Sequence, residues 1–269
     1  MQKSNFHTHT LFSDGHNSPE EMVCEAIDLG FKAIGFSDHS YTPSQNECSM
    51  LPGTEFDQFD EVKRLKYKYI DLIDVYAGIE LDMNSRIPEL QYDYLIGSVH
   101  EIVKNGESRE IDNGALLQQK IIDEWFGGSV ETFAREYFEL CIENAKTRCP
   151  DIVGHFDLLT KYSLFDESDP KYRNIAIEAV REVLKYCKTF EMNTGAIARG
   201  YRKTPYPDSY LVDEIKNAGG RLIITYDCHY REKLTTGFDT AEKILLEKGF
   251  RLNVNGNLNA KVKNIEIWE

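Results

Sequence analysis

The chain has 269 residues, 41% hydrophobic and 28% charged, with no long low-complexity stretch, which provides for one large core or two small ones and excludes a disordered chain. A formal charge of −14 excludes a basic track for nucleic acid, although bound cations reverse the sign locally. The N-terminal MQKSNFHTHT has no apolar core of signal-peptide length, no run approaches a membrane span, and the six cysteines show no C-x-x-C spacing, so a cytoplasmic protein with free thiols and no membrane contact is expected.

Strand and helix patterns alternate along the chain. SNFHTH reads as a first strand, followed by the loop TLFSDGHNS. Ser18 or Asn17 is placed to cap the next helix, with Pro19 at its first position and Glu20 and Glu21 in its first turn. Met22, Val23, Ala26, Ile27 and Leu29 share one side of it, and Gly30 ends it. FKAIGFSDH is a buried-strand run. Residues 41–54 form a polar loop from which Thr54 caps a helix over 55–72. DVYAGIELD is a third strand ending at Glu80 and Asp82, and residues 86–91 give one short helix. YDYLIGSVHEIV is a fourth strand reaching His100. Helices follow over 114–126 and 129–147, split by Gly127-Gly128 with Ser129 as cap. DIVGHFD is the fifth strand, and KYSLFDESDPKY leads into a helix over 171–187. FEMNTG is the sixth strand, followed by the basic and aromatic loop ARGYRKTPYPDSY. A helix over 208–218, the seventh strand RLIITYDCH, a helix over 238–248 and a closing segment FRLNVNGN complete the series.

No Gly-, Pro- or Ser-rich linker divides these units, so a single domain over 1–269 is expected. Seven strand–helix units point to an α/β fold, a distorted (β/α)7 barrel of the TIM type. An open doubly wound sheet gathers its ligands at one switch point, whereas here almost every strand end offers a polar residue.

Six of the seven histidines share that setting. His7 and His9 stand in the first strand, and His39, His100, His155 and His229 follow or close short apolar runs. Residues i and i+2 of a strand point to one side, so His7 and His9 reach a common ion, and Asp227 with His229 repeats the spacing. Glu80 is an acid ending an apolar run. This mix of imidazole and carboxylate suits zinc, iron or manganese in a polynuclear hydrolytic site. His16 is left over and reads as a polar loop residue. Cys228 lies between two site residues and points the other way, into packing. Arg199, Arg202 and Lys203 after the sixth strand, and Lys161 after the fifth, suit a phosphomonoester at the same rim.

Taken in order, His7-Thr8-His9 with Asp14, Ser37-Asp38-His39, Ile79-Glu80, Gly97-Ser98-Val99-His100, Gly154-His155 and Asp227-Cys228-His229 resemble the polymerase and histidinol phosphatase (PHP) superfamily, in its histidinol-phosphate phosphatase branch, over essentially the whole chain. The resemblance implies three divalent ions (Zn, Mn or Fe) at the C-terminal rim of a distorted barrel. It gives His7, His9, Glu80 and Asp227 to the first ion, Glu80, His100 and His155 to the second with Glu80 bridging, and Asp14, His39 and His229 to the third. Some members place a histidine where Asp14 stands, with His16 close by here.

The implied activity is hydrolysis of L-histidinol phosphate to L-histidinol and phosphate in histidine biosynthesis. A hydroxide shared by two ions attacks phosphorus in line, with Glu80, Asp227 and His229 as the catalytic residues. Arg199 first, then Lys161 and Arg202, are expected on the phosphate. Asp82, Glu101, Tyr41, Tyr201 and Tyr206 are expected around the organic part, Asn193 in support, and Trp125-Phe126 as core or a lid hinge. A nucleoside bisphosphate or another small phosphoester is the alternative substrate. A non-enzymatic binding module is the third reading, and it requires missing ligands.

Overall fold

Period-two alternation in strands organises this molecule, a computed structural model that describes residues 4–45, 47–87 and 89–269. In chain order the elements are β1 (Ser4–Asn5), α1 (Pro19–Asp28), β2 (Ala33–Phe36), α2 (Thr54–Lys68), β3 (Asp74–Leu81), β4 (Tyr94–Gly97), β5 (Glu101–Lys104), β6 (Glu107–Glu110), α3 (Ala115–Phe126), α4 (Val130–Arg148), β7 (Ile152–Val153), α5 (Pro170–Val183), β8 (Thr189–Asn193), α6 (Gly195–Ala198), α7 (Ser209–Asn217), β9 (Arg221–Thr225), α8 (Phe238–Glu247), β10 (Leu252–Asn257) and β11 (Lys263–Trp268). One sheet runs β1-β2-β3-β4-β7-β8-β9-β11-β10, and β5 pairs with β6 separately. Neighbours from β1 to β9 are parallel, while β11 is antiparallel to both β9 and β10.

The sheet is curled and partly open. Its first and last parallel strands approach beyond their ends, where Thr8 bridges Cys228, the His9 N–H donates to Cys228 O at 2.8 Å and the Cys228 N–H donates to His7 O at 2.9 Å. The observed architecture is therefore a curled, partly open, barrel-like α/β fold with an added antiparallel hairpin, which agrees with the expected distorted barrel in its coarse form.

β3 shows how the layers arise. Val75, Ala77, Ile79 and Leu81 join the large core shared with the helices, and Tyr76 belongs to an inner cluster with Phe6, Tyr94, Ile96, Ile152 and Ile223. Leu258, Val262, Ile265 and Ile267 of the β10–β11 hairpin pack into the same inner cluster. Trp268 pairs with Leu222 near the start of β9, so the hairpin sits toward the N-terminal ends of the strands, away from the rim. Tyr94 fills the inside. A Cβ on Gly35 or Gly78 would lie within 2.4 Å or 2.2 Å of its side chain, which is why those strand positions carry no side chain.

Local chemistry sets the element ends. Ser18, rather than the alternative Asn17, caps α1, and it does so in a full capping box with Glu21. At α2 the cap is Gly53, at φ 97° in the left-handed region, and Thr54 is already helical with its hydroxyl on Leu51 O at 2.8 Å. The helix ends at Lys68, short of 72. Among the described residues of 86–91 the chain turns without a helix, and position 88 lies outside them. The fourth strand stops at Gly97, three residues before His100, because Asn144 of α4 donates to Leu81 O and to Ser98 O at 3.0 Å each and so caps the ends of β3 and β4. α5 ends at Val183 rather than 187, and β11 adds a strand that the sequence pattern left inside a closing segment.

Candidate metal centre

The inward face of β3 delivers Glu80 to the middle of the rim, 1% exposed, and five imidazoles surround it. Glu80 Oε2 lies 3.2 Å from His7 Nε2, 3.5 Å from His9 Nε2 and 3.0 Å from His39 Nδ1. Glu80 Oε1 lies 3.2 Å from His155 Nε2 and 3.7 Å from His100 Nε2. Asp227 Oδ1 stands 3.1 Å from His9 Nε2 and 3.6 Å from His7 Nε2. Asp14 completes the ring, with Oδ2 3.1 Å from His229 Nε2 and 3.9 Å from His39 Nε2, and Oδ1 3.5 Å from His9 Nδ1.

Among the described residues, the nine side chains named from the sequence as ligands fall into four overlapping groups with possible ligand atoms within 4.8 Å of one another: His7, Glu80 and His155; His7, His9 and Asp227; His39, Glu80 and His100; and His9, Asp14, His39 and His229. The grouping differs from the implied one in detail. His100 and His155 meet Glu80 in separate groups, and His9 adds itself to Asp14, His39 and His229. His16 joins none of them.

The loop after β1 is held by Asp38. Its carboxylate accepts from the Thr10 N–H at 2.7 Å, the Ser13 hydroxyl at 2.7 Å and the Gln58 amide at 3.2 Å. Gly15 closes the same turn, where a Cβ would lie 2.4 Å from the His9 carbonyl. Asp227 adopts φ 58°, a strained conformation for a non-glycine residue. Its Oδ2 is engaged by Arg199 Nη2 at 2.8 Å. Below His100, Asp82 Oδ2 sits 2.6 Å from the ring Nδ1 and its carboxylate also receives the His100 N–H. Below His7, Glu191 of β8 lies 2.8 Å from Nδ1. Sequence reasoning missed Glu191; its signal was an acid inside the apolar strand FEMN, two residues before Asn193.

Burial opposes ionisation of these acids, and the surrounding imidazoles, joined at Asp227 by Arg199, outweigh it. His7, His39 and His100 hold the Glu80 carboxyl well below the usual range, against its burial. Asp227 is lowered likewise, against burial, by Arg199 and His7, and Asp14 by His39, His229 and His9. Burial works against His100 too, yet Glu80 and Asp82 push it up to about 10. For His39 burial prevails, and it is lowered to about 4.

The donor set fits divalent cations. Buried His7 Nε2, His9 Nδ1 and Nε2, and Glu80 Oε2 have no hydrogen-bond partner although they converge, and buried polar atoms are ordinarily satisfied. Imidazole and carboxylate donors in this mixture match first-row divalent metals.

A cavity of about 380 Å³ opens above the cluster. Asp14, His39, His100, Asp227 and His229 line it together with Arg199, Lys161, Tyr201, Lys233, Tyr226, Tyr230, His16, Gln45, Cys48, Glu110 and Asp112. Arg199, Lys161 and Tyr201 thus stand on the cavity wall. Lys161 is paired with Asp112 at 3.0 Å and its ammonium lies 5.1 Å above the Tyr201 ring. His16 lines the mouth, stacked on Tyr230 at 4.2 Å and 13°.

Several expected contacts, Lys203 among them, do not line the cavity. The Arg202 side chain is 5% exposed and points toward partly buried acids, 3.3 Å from Glu167 and 3.6 Å from Asp208. Asp82 is committed to His100 and is absent from the cavity wall. Glu101 is buried against Asn84, Ser44 and Ser108, and Tyr206 is buried in the core beneath His155. Tyr41 does not line the cavity either. Asn193 supports the site from below, donating to Glu191 Oε1 at 2.9 Å. Cys228 is buried with its thiol on Tyr230 O at 3.0 Å. Trp125 lies under the Arg109 guanidinium at 4.5 Å, and Phe126 belongs to the core. No helix of the described residues is long and apolar enough to cross a membrane.

Comparison with known proteins adds to this geometry. The family described as PHP domain matches residues 5–195. The probable histidinol-phosphatase of Schizosaccharomyces pombe is 27% identical over 93% of this chain and 90% of its own. The histidinol-phosphatase of Lactococcus lactis is 27% identical over 93% of each chain. Among solved structures, the putative histidinol phosphatase of Listeria monocytogenes superposes with a TM-score of 0.76 at 22% identity, over 88% of this chain and 99% of that one. The histidinol phosphate phosphatase of Lactococcus lactis, solved with zinc, L-histidinol and phosphate, gives 0.73 at 23% identity, over 93% and 95%. These two likenesses show a shared fold.

Proposed function

The chain belongs to the PHP domain family, and from that premise we propose that it is a metal-dependent phosphomonoesterase that hydrolyses L-histidinol phosphate to L-histidinol and phosphate. The observation that carries the reading is the convergence of nine ligand-type side chains beneath a cavity walled by Arg199 and Lys161. Full-length similarity to histidinol-phosphatases supports the substrate.

We assign three divalent ions, zinc, manganese or iron, to this rim. His7, His9, Glu80 and Asp227 would hold one, Glu80, His100 and His155 a second, and Asp14, His39 and His229 a third. Bound there, such ions supply an activated water at neutral pH and neutralise charge on the phosphoryl oxygens. The chain's own residues do the rest. Glu80 offers one oxygen to each half of the cluster. Asp227 and His229 reach the cavity from the end of β9. Arg199 and Lys161 present cationic groups to a phosphate arriving from the mouth, and Tyr201 offers a ring beside them. In this reading the seven parallel strands act as one distorted (β/α)7 barrel in a single domain over 1–269, because the proposed ligands come from positions 7 to 229.

The test is phosphate release from L-histidinol phosphate, nucleoside monophosphates and nucleoside bisphosphates, with zinc, manganese and iron measured in the same preparation. Histidinol phosphate should show a kcat/KM at least about tenfold above any nucleotide, the discrimination expected of a site shaped for one organic group. Preferred hydrolysis of a nucleotide overturns the substrate, and full turnover without metal overturns the chemistry.

A further inference from the structure

Glu191 is fully buried, and it is a carboxylate that the proposed chemistry does not use directly. Four donors converge on it. Oε2 accepts from the Thr225 hydroxyl at 2.7 Å and lies 2.8 Å from His7 Nδ1. Oε1 accepts from the Asn193 amide at 2.9 Å and from the backbone N–H of His155. An ionised carboxylate in such a place is tolerable only because its oxygens are satisfied in this way.

That arrangement fixes two ligand positions. A carboxylate can only accept, so the hydrogen of neutral His7 resides on Nδ1. Nε2 then carries its lone pair toward Glu80 and Asp227, at 3.2 and 3.6 Å. The same carboxylate holds the backbone of His155, whose ring Nε2 lies 3.2 Å from Glu80 Oε1. His7 follows β1 and His155 follows β7, so one side chain on β8 ties the two together. We infer that Glu191 is a positioning residue that orients His7 and His155 jointly for cation binding. The inference rests on the metal-binding part of the proposed function and is independent of the substrate.

Glu191→Gln keeps the shape but leaves one acceptor oxygen where two are needed, so one donor of the set faces an amide NH2. Zinc is removed from the enzyme and returned in competition with a chromophoric chelator, which reads affinity directly. We expect E191Q to bind zinc about 10- to 100-fold more weakly, the range seen when the partner of a metal-bound histidine is lost. At limiting zinc its kcat should fall with KM unchanged, and excess zinc should restore it. The absorption bands of the cobalt(II)-substituted protein should shift. Unchanged zinc affinity in a folded E191Q protein overturns the inference, even where the metal-free protein melts earlier, because the role is then structural alone. Should E191Q fail to fold, Thr225→Val decides. It removes only the hydroxyl donor to Oε2 and should weaken zinc several-fold in a protein that still folds; unchanged affinity there overturns the inference equally. Absence of turnover on every phosphoester would count against the proposed activity while leaving the zinc measurement intact.

Discussion

Arg199 does two things with one guanidinium. It stands on the cavity wall, and its Nη2 holds Asp227 Oδ2 at 2.8 Å, fixing a residue whose φ of 58° is strained. From the sequence alone, Arg199→Ala should weaken substrate binding and leave metal in place. The geometry predicts more. Removing the guanidinium frees one oxygen of Asp227, whose other oxygen faces His7 and His9. A charge-assisted hydrogen bond is worth about 1.5–3 kcal/mol, so kcat/KM should fall about 10- to 100-fold. Part of that loss should come from weaker metal retention, read as metal per chain after dialysis. A variant with unchanged KM and unchanged metal content would remove Arg199 from both roles. Lys161 has a smaller claim on phosphate, because Asp112 already neutralises it at 3.0 Å.

At the scale of elements, what was legible in the sequence is the set of strand ends. Apolar runs closing on His or Asp recur along the chain, and a parallel strand buried on both faces leaves just such a run. What was not legible is mostly long-range. The fourth strand reads through to His100, but α4 caps it at Gly97 through Asn144, a residue 47 positions further on. The β5–β6 hairpin had a local signal that the apolar pattern overrode: Asn105-Gly106, both at positive φ, is the turn pair favoured between antiparallel strands. Gly53 displaced Thr54 as a cap because a left-handed entry requires glycine. Glu191 had a local signal too, an acid inside an apolar strand, but its partners His7, His155 and Thr225 come from distant parts of the chain. The inner core gives an element-scale prediction. Tyr94 of β4 donates its hydroxyl to Phe6 O at 2.6 Å, beside His7. Tyr94→Phe should cost about 1–2 kcal/mol of stability and leave KM unchanged, measured as the denaturant midpoint alongside steady-state kinetics. An unchanged midpoint would show that the bond contributes nothing to the fold.

Across the whole molecule, the proposed ligands flank the seam of the sheet. Thr8 and Cys228 form the bridge between the first and last parallel strands, His7 and His9 adjoin it on one side, and Asp227 and His229 adjoin it on the other. A cation held by His7, His9 and Asp227 therefore joins the two edges at the point where the curled sheet otherwise depends on a short run of backbone hydrogen bonds. The unfolded chain scatters these residues, so a metal that binds only the folded state stabilises it in proportion to its free concentration. At 100 times its dissociation constant this amounts to about 2.7 kcal/mol. For a chain of this size we expect the melting midpoint to rise by about 5 °C or more on adding zinc to the stripped protein, and to fall back with a chelator. Hydrogen exchange locates the effect. The His9 and Cys228 amides should lose protection on metal removal, while the core of β3 keeps its own. A midpoint that stays within about 1 °C through full metal loss, with those two amides unchanged, would show that the seam holds without the ions and would confine them to chemistry.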